Sequence, residues 1–180
     1  MRTFIAIKIP ELVKKDISCF QEKLKPQFTK EIKWVESENI HLTLKFIGKI
    51  ELEQTEAVNT VIQSCIQNTT PFQMSFANAG AFPNLQYPKV LWIGVKEGKE
   101  KIIKLMTSLN EKLADIGIEF ETRDLSPHLT IGRAKNPVKG IHFPAFTSEY
   151  FETKNIYLIK SELTQNKPIY TDIKEFLLEK

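Results

Sequence analysis

Only two of the 180 residues are cysteine and only three are histidine. Cys19 and Cys65 sit in helix-like segments, with no C-x-x-C spacing and no set of four or more cysteines. The expectation is therefore two reduced, buried thiols rather than a disulfide or zinc framework. No apolar run approaches the roughly 18–20 residues of a membrane span. The opening MRTFIAIKIP is apolar for about seven residues before Pro10 and Glu11 interrupt it, too short for a signal h-region followed by a cleavage site. A strong charge of one sign is also missing. The formal net charge of +3 suits a protein that meets anions such as phosphates and falls far short of a polybasic nucleic-acid binder. The carboxylates form no H-x-x-E-H or D-x-D cluster. Together these absences point to a soluble cytoplasmic protein with no membrane association and no metal site built on acidic side chains.

What is present is an ordinary core. Hydrophobic residues make up 42% and charged residues 26%, the balance of a globular domain. Residues 1–180 fit a single domain, or two small lobes sharing a core. Residues 3–9 read as a buried strand stopped by Pro10. Leu12, Val13, Ile17, Phe20 and Leu24 then follow at helical spacing. An extended piece at 32–35 leads to a strand running from His41 to Gly48. A second helix is expected over 51–68, an alternating strand over 72–76, and a loop over 78–88. The order then recurs: a strand at 90–95, a helix over 102–113, an extended piece at Ile118 and Phe120, and a strand opening at His128. A loop over 135–144 containing Asn136, Pro137 and Gly140, one or two strands over 150–163 and a final strand or short helix over 169–178 complete the chain. This order predicts an α+β fold with two mostly antiparallel sheets.

Two of the three histidines lie in one repeated pattern, His41-Leu42-Thr43-Leu44 and His128-Leu129-Thr130-Ile131. Chance would place a given histidine in such a context about once in fifty cases, so two of three is a rare coincidence. On a strand, alternation puts His41 and Thr43 on one face and Leu42 and Leu44 on the other, and the second copy does the same. The copies lie 87 residues apart, and that offset also carries Phe4-Ile5 onto Leu91-Trp92 at the starts of the two opening strands. An internal duplication with a pseudo-twofold axis is the natural reading. It would set the motifs face to face across one cleft, with the helices outside.

Such a cleft offers two imidazoles, one able to accept a proton and one to donate it near neutral pH. Two threonine hydroxyls could hold phosphate oxygens. This chemistry needs no metal or other cofactor. A zinc site using His41, His128 and His142 is the weaker alternative, because two distant histidines make a poor zinc set.

The doubled motif, with Arg2, Phe4, Ala6 and Ile7 in the opening strand, resembles the 2H phosphoesterase superfamily. Trp34-Val35, the segment 39–48, the segment 89–95 and Pro127–Arg133 make the chain most similar to its RNA 2′,3′-cyclic phosphodiesterases, also called 2′–5′ RNA ligases. Ser161-Glu162-Leu163 and Pro168-Ile169-Tyr170 are similar to the family's closing strands. The resemblance implies a bilobal fold and metal-independent hydrolysis of RNA 2′,3′-cyclic phosphate ends to 2′-phosphates. His41 would be the proton donor, His128 the proton acceptor, and Thr43 and Thr130 the phosphate holders. The reverse reaction would join RNA ends through a 2′–5′ link.

The partners implied are RNA ends or small cyclic nucleotides, with no obligate protein partner and a monomeric state. Arg133 matches the family's phosphate-binding arginine, although simple alternation turns it away unless a bulge at Gly132 restores it. Lys45 falls on the histidine face by alternation and could draw RNA in. Phe46, at the family's aromatic position, could stack on a base, although alternation sets it opposite the histidines. Ile5 departs from the family, which often has a second aromatic there. A non-catalytic reader of RNA ends or nucleotides remains the alternative, as does the same chemistry on another cyclic phosphate or a 2′–5′ oligoadenylate.

Overall fold

The computed structural model describes residues 1–28, 30–136, 138, 140–165 and 167–179. Among them the chain forms β1 (Arg2–Lys8), α1 (Glu11–Leu24), β2 (Ile32–Trp34), β3 (His41–Lys49), α2 (Thr55–Ile66), β4 (Phe72–Met74), β5 (Phe76–Phe82), β6 (Val90–Val95), α3 (Lys99–Ala114), β7 (His128–Ala134), β8 (Phe151–Thr153), β9 (Asn155–Leu163) and β10 (Pro168–Leu177). Every strand pair is antiparallel. The α+β class with two antiparallel sheets is as the sequence predicts. The large sheet runs β10-β9-β1-β3-β7-β6-β5, with β2 also on β7, and β4 pairs with β8 in the small one. The two halves thus meet within the large sheet, where β3 touches β7 at one register pair, Leu42 opposite Leu129.

One face of the large sheet is covered by helices. α1 buries Val13, Ile17, Phe20 and Leu24, and α3 buries Ile102, Leu105, Met106, Leu109 and Leu113. These stripes meet Ile5, Ile7, Leu42, Leu44, Leu91, Ile93, Leu129 and Ile131 from the strands. Pro10 gives α1 no side-chain cap, worth about 1 kcal/mol. Burial of its four apolar side chains, about 1.5–3 kcal/mol each, outweighs that loss. No helix among the described residues is long and apolar enough to cross a membrane.

Three expectations need correction. The loop predicted from residue 78 starts later, since β5 runs on through Phe82. Its small residues signal close packing: a Cβ on Gly80 would lie 2.2 Å from the Trp92 ring. Asn78, at φ 61°, takes up an irregularity in the β5–β6 ladder, a conformation asparagine tolerates. Second, the repeat offset is 87 for the motif strands but 86 for the opening strands. Ala6 pairs with Thr43 as Trp92 pairs with Thr130, and Lys8 with His41 as Gly94 with His128. A one-residue slip exchanges the faces of a strand; Phe4 therefore matches Val90, and Ile5 matches Leu91, both fully buried on the helix side. Third, the thiols are not buried: Cys19 is exposed and Cys65 half-buried. Two outcomes left open are settled: residues 151–163 form two strands, and the final segment is a strand. Pro137 lies outside the described residues.

Candidate active site

The other face of the large sheet carries the histidines. His41 and Thr43 are half-buried on β3, with Leu42 and Leu44 buried behind them; His128 and Thr130 repeat this on β7. The antiparallel pair at Leu42 and Leu129 directs His41 toward Thr130 and Thr43 toward His128. The two histidines are then diagonal neighbours on one face, about 7–8 Å apart at the backbone, a span that one phosphate can bridge.

The two imidazoles are held alike. His41 Nδ1 lies 2.8 Å from the carbonyl of Asn39, and His128 Nδ1 lies 2.6 Å from that of Ser126. A carbonyl only accepts, so Nδ1 carries the proton in each ring and Nε2 remains for chemistry. Burial lowers the pKa of both histidines, opposed by these hydrogen bonds. For His128 alone, the charge of Arg133 lowers it further. Among the described residues, neither the Thr43 nor the Thr130 hydroxyl has a hydrogen-bond partner within the protein.

Aromatic rings surround each histidine. Phe4 lies 4.8 Å from His41 between ring centroids, and Tyr170 meets it edge-on at 5.1 Å. Phe82 meets His128 edge-on at 5.0 Å, with Trp92 beyond at 6.4 Å. The sequence places Tyr170 only in a closing strand. In the fold it links the halves: its ring touches His41, and burial raises its phenol pKa while the charge of Arg133 lowers it.

A bulge follows each motif at equivalent places. On β3, Ala6 pairs with Thr43 and Ile5 with Lys45, so Leu44 is the extra residue. On β7, Trp92 pairs with Thr130 and Leu91 with Gly132, so Ile131 is the extra residue. Each extra residue reverses the faces beyond it. Arg133 therefore turns onto the face of His128 and Thr130, as a bulge there requires. Phe46 turns onto the face of His41 and Thr43, 70% exposed and 6.1 Å from Phe4.

The same bulge overturns the expectation for Lys45. It leaves the histidine face and is buried at 7% exposure, where Nζ donates to Asn110 Oδ1 (2.6 Å) and to the carbonyl of Glu119 (2.7 Å). Asn110, only 4% exposed, also binds both main-chain groups of Glu121. Lys45 thus pins the segment leading to the second motif and does not meet the histidine face. His142 lies in a loop whose main chain is bonded by the Gln27 side chain. No group of three or more His, Cys, Asp or Glu side chains that could hold a metal ion occurs among the described residues.

A pseudo-twofold pair of imidazoles and hydroxyls, with an arginine beside one imidazole, defines the architecture of a two-histidine phosphoesterase. Residues 7–92 match the family model described as LigT like Phosphoesterase. A protein of Methanocaldococcus jannaschii named RNA 2′,3′-cyclic phosphodiesterase is 38% identical, the match covering 98% of this chain and 100% of that protein. One of the same name from Methanothermobacter thermautotrophicus is 34% identical, covering 99% of each. The crystal structure of TT0787 of Thermus thermophilus superposes with a TM-score of 0.88 at 26% identity, covering 99% of this chain and 98% of that one. The chain belongs to the LigT-like phosphoesterases of the 2H superfamily.

Proposed function

We propose that this chain hydrolyses 2′,3′-cyclic phosphates on RNA ends to 2′-phosphates, by acid–base catalysis with two histidines and without a metal. The observation that carries the reading is the matched pair of Nδ1–carbonyl hydrogen bonds, which leaves two Nε2 atoms free on one face of the sheet. The names of the relatives favour the substrate class. His128 Nε2 takes a proton from water as its oxygen attacks phosphorus. The bond from phosphorus to the 3′ oxygen breaks, and His41 Nε2 gives that oxygen a proton. The charge of Arg133, acting against a proton on His128 alone, favours His128 as the acceptor and His41 as the donor.

Thr43 and Thr130 donate hydrogen bonds to the phosphate oxygens, Arg133 supplies charge, and Phe46 offers a ring to the terminal base. A 5′-hydroxyl in place of water would give a 2′–5′ link by the same steps. Lys45 has no part in binding. Residues 1–180 act as one domain of two pseudo-symmetric lobes, monomeric and cytoplasmic.

The pH dependence of kcat/KM tests this assignment. The acceptor works when neutral, so activity rises as pH climbs through its pKa. The donor works when protonated, so activity falls as pH climbs through its own. Both histidines are lowered from the ordinary 6.5, so the expected profile is a bell with its maximum below pH 6.5. A profile flat from pH 5 to 9 would reject two-histidine catalysis, and binding without turnover would favour the end-reading module.

A further inference from the structure

The geometry points to Gln21 as a positioning residue of this site: from α1 it holds the bulge that turns Arg133 onto the histidine face. Gln21 is the polar member of the buried stripe of α1, only 5% exposed. Its Nε2 donates to the carbonyl of Val35 at 2.9 Å and to that of Ile131 at 2.9 Å. Ile131 is the extra residue of the β7 bulge, and its carbonyl also accepts the N–H of Val35 at 3.0 Å. This carbonyl lies at a fork, where β7 leaves β3 at Leu129 and takes up β2 from Gly132 onward. The Val35 N–H gives the Ile131 carbonyl one donor for its two lone pairs. The Gln21 amide adds a second and also serves the Val35 carbonyl, tying β7 at its bulge to the residue after β2 under the sheet.

The consequence reaches the other face. Arg133 shares a face with His128 and Thr130 only while Ile131 stays extra, because a regular strand would set it opposite. Loss of the Gln21 donor should loosen the bulge, and Arg133 with it, without touching a cleft side chain. The role rests on the assignment of Arg133 as a phosphate ligand, so the two need separate readouts.

The test compares Gln21→Met, Arg133→Ala and the double variant in the full chain, using an oligoribonucleotide ending in a 2′,3′-cyclic phosphate. KM, the low-pH limb of kcat/KM and thermal stability are measured. Q21M should raise KM at least about tenfold, the scale on which small misplacements matter. It should also move the low-pH limb upward, because Arg133 no longer depresses His128. The double variant should be no worse than R133A alone. A Q21M protein that melts earlier but keeps KM and the limb, or effects that multiply in the double variant, would overturn the role. If R133A itself changes neither quantity, the Arg133 assignment has failed, and the role of Gln21 with it. Should Q21M be too unstable to assay, Gln21→Asn, with its amide drawn back by one methylene, gives the same readouts.

Discussion

Replacing His41 or His128 by alanine should lower kcat by about 10²- to 10⁴-fold, the range expected for losing a positioned acid or base. Each histidine makes one ring hydrogen bond, to the carbonyl two residues before it, and packs against aromatic rings on the sheet surface. The larger hydrophobic core lies behind the sheet, so the circular dichroism spectrum and cooperative melting should survive. The double variant should be little worse than either single one, because the two imidazoles act in one step and their effects are not additive. A single variant that keeps wild-type kcat would mean that the motif serves structure. One that loses only affinity would indicate binding without turnover.

Gly80→Ala should be a damaging change for a single methyl group. The added Cβ would meet three atoms of the Trp92 ring at 2.2, 2.5 and 2.8 Å. Phe82 packs against the same indole at 5.3 Å, which limits its escape. Trp92 stands beside Thr130 in register and near His128, so the displaced ring moves toward the active site. Overpacking of this kind costs about 1–3 kcal/mol, a fall in Tm of roughly 2–4 °C per kcal/mol for a chain this long. A drop in kcat/KM should accompany it. Gly94→Ala is the comparison: its Cβ would meet nothing closer than the Ala77 carbonyl at 3.3 Å, and its effect should be smaller. Equal melting temperatures for Gly80→Ala and the wild-type protein would show that the indole moves aside at no cost.

Much of the site was legible because its signal is local. Histidine and threonine two apart on a strand must share a face, and the repeat at a fixed distance marked them as a pair. The parts that escaped depend on partners remote in sequence. A bulge is defined by the strand opposite, so alternation within β3 put Lys45 in the cleft and Phe46 in the core, the reverse of what the β1 register imposes. The shift from 87 to 86 in the opening strands has the same origin.

For other residues a faint signal was available. Gln21 and Asn110 each interrupt the apolar stripe of a helix, and a polar residue at such a position needs a buried partner. Tyr170 occupies one face of an alternating strand, but nothing local says that this face meets His41. The small residues before Phe82 looked like a loop because their purpose, room for the Trp92 ring, lies on the neighbouring strand.

The most direct measurement is of the product. The protein, in EDTA, is incubated with an oligoribonucleotide ending in a 2′,3′-cyclic phosphate, and the isomer formed is identified. Two-histidine catalysis requires a 2′-phosphate, formed without metal, and almost none from the His41→Ala variant. A 3′-phosphate would place the leaving group at the wrong oxygen, and activity lost in EDTA but restored by a divalent metal would contradict two-histidine catalysis outright.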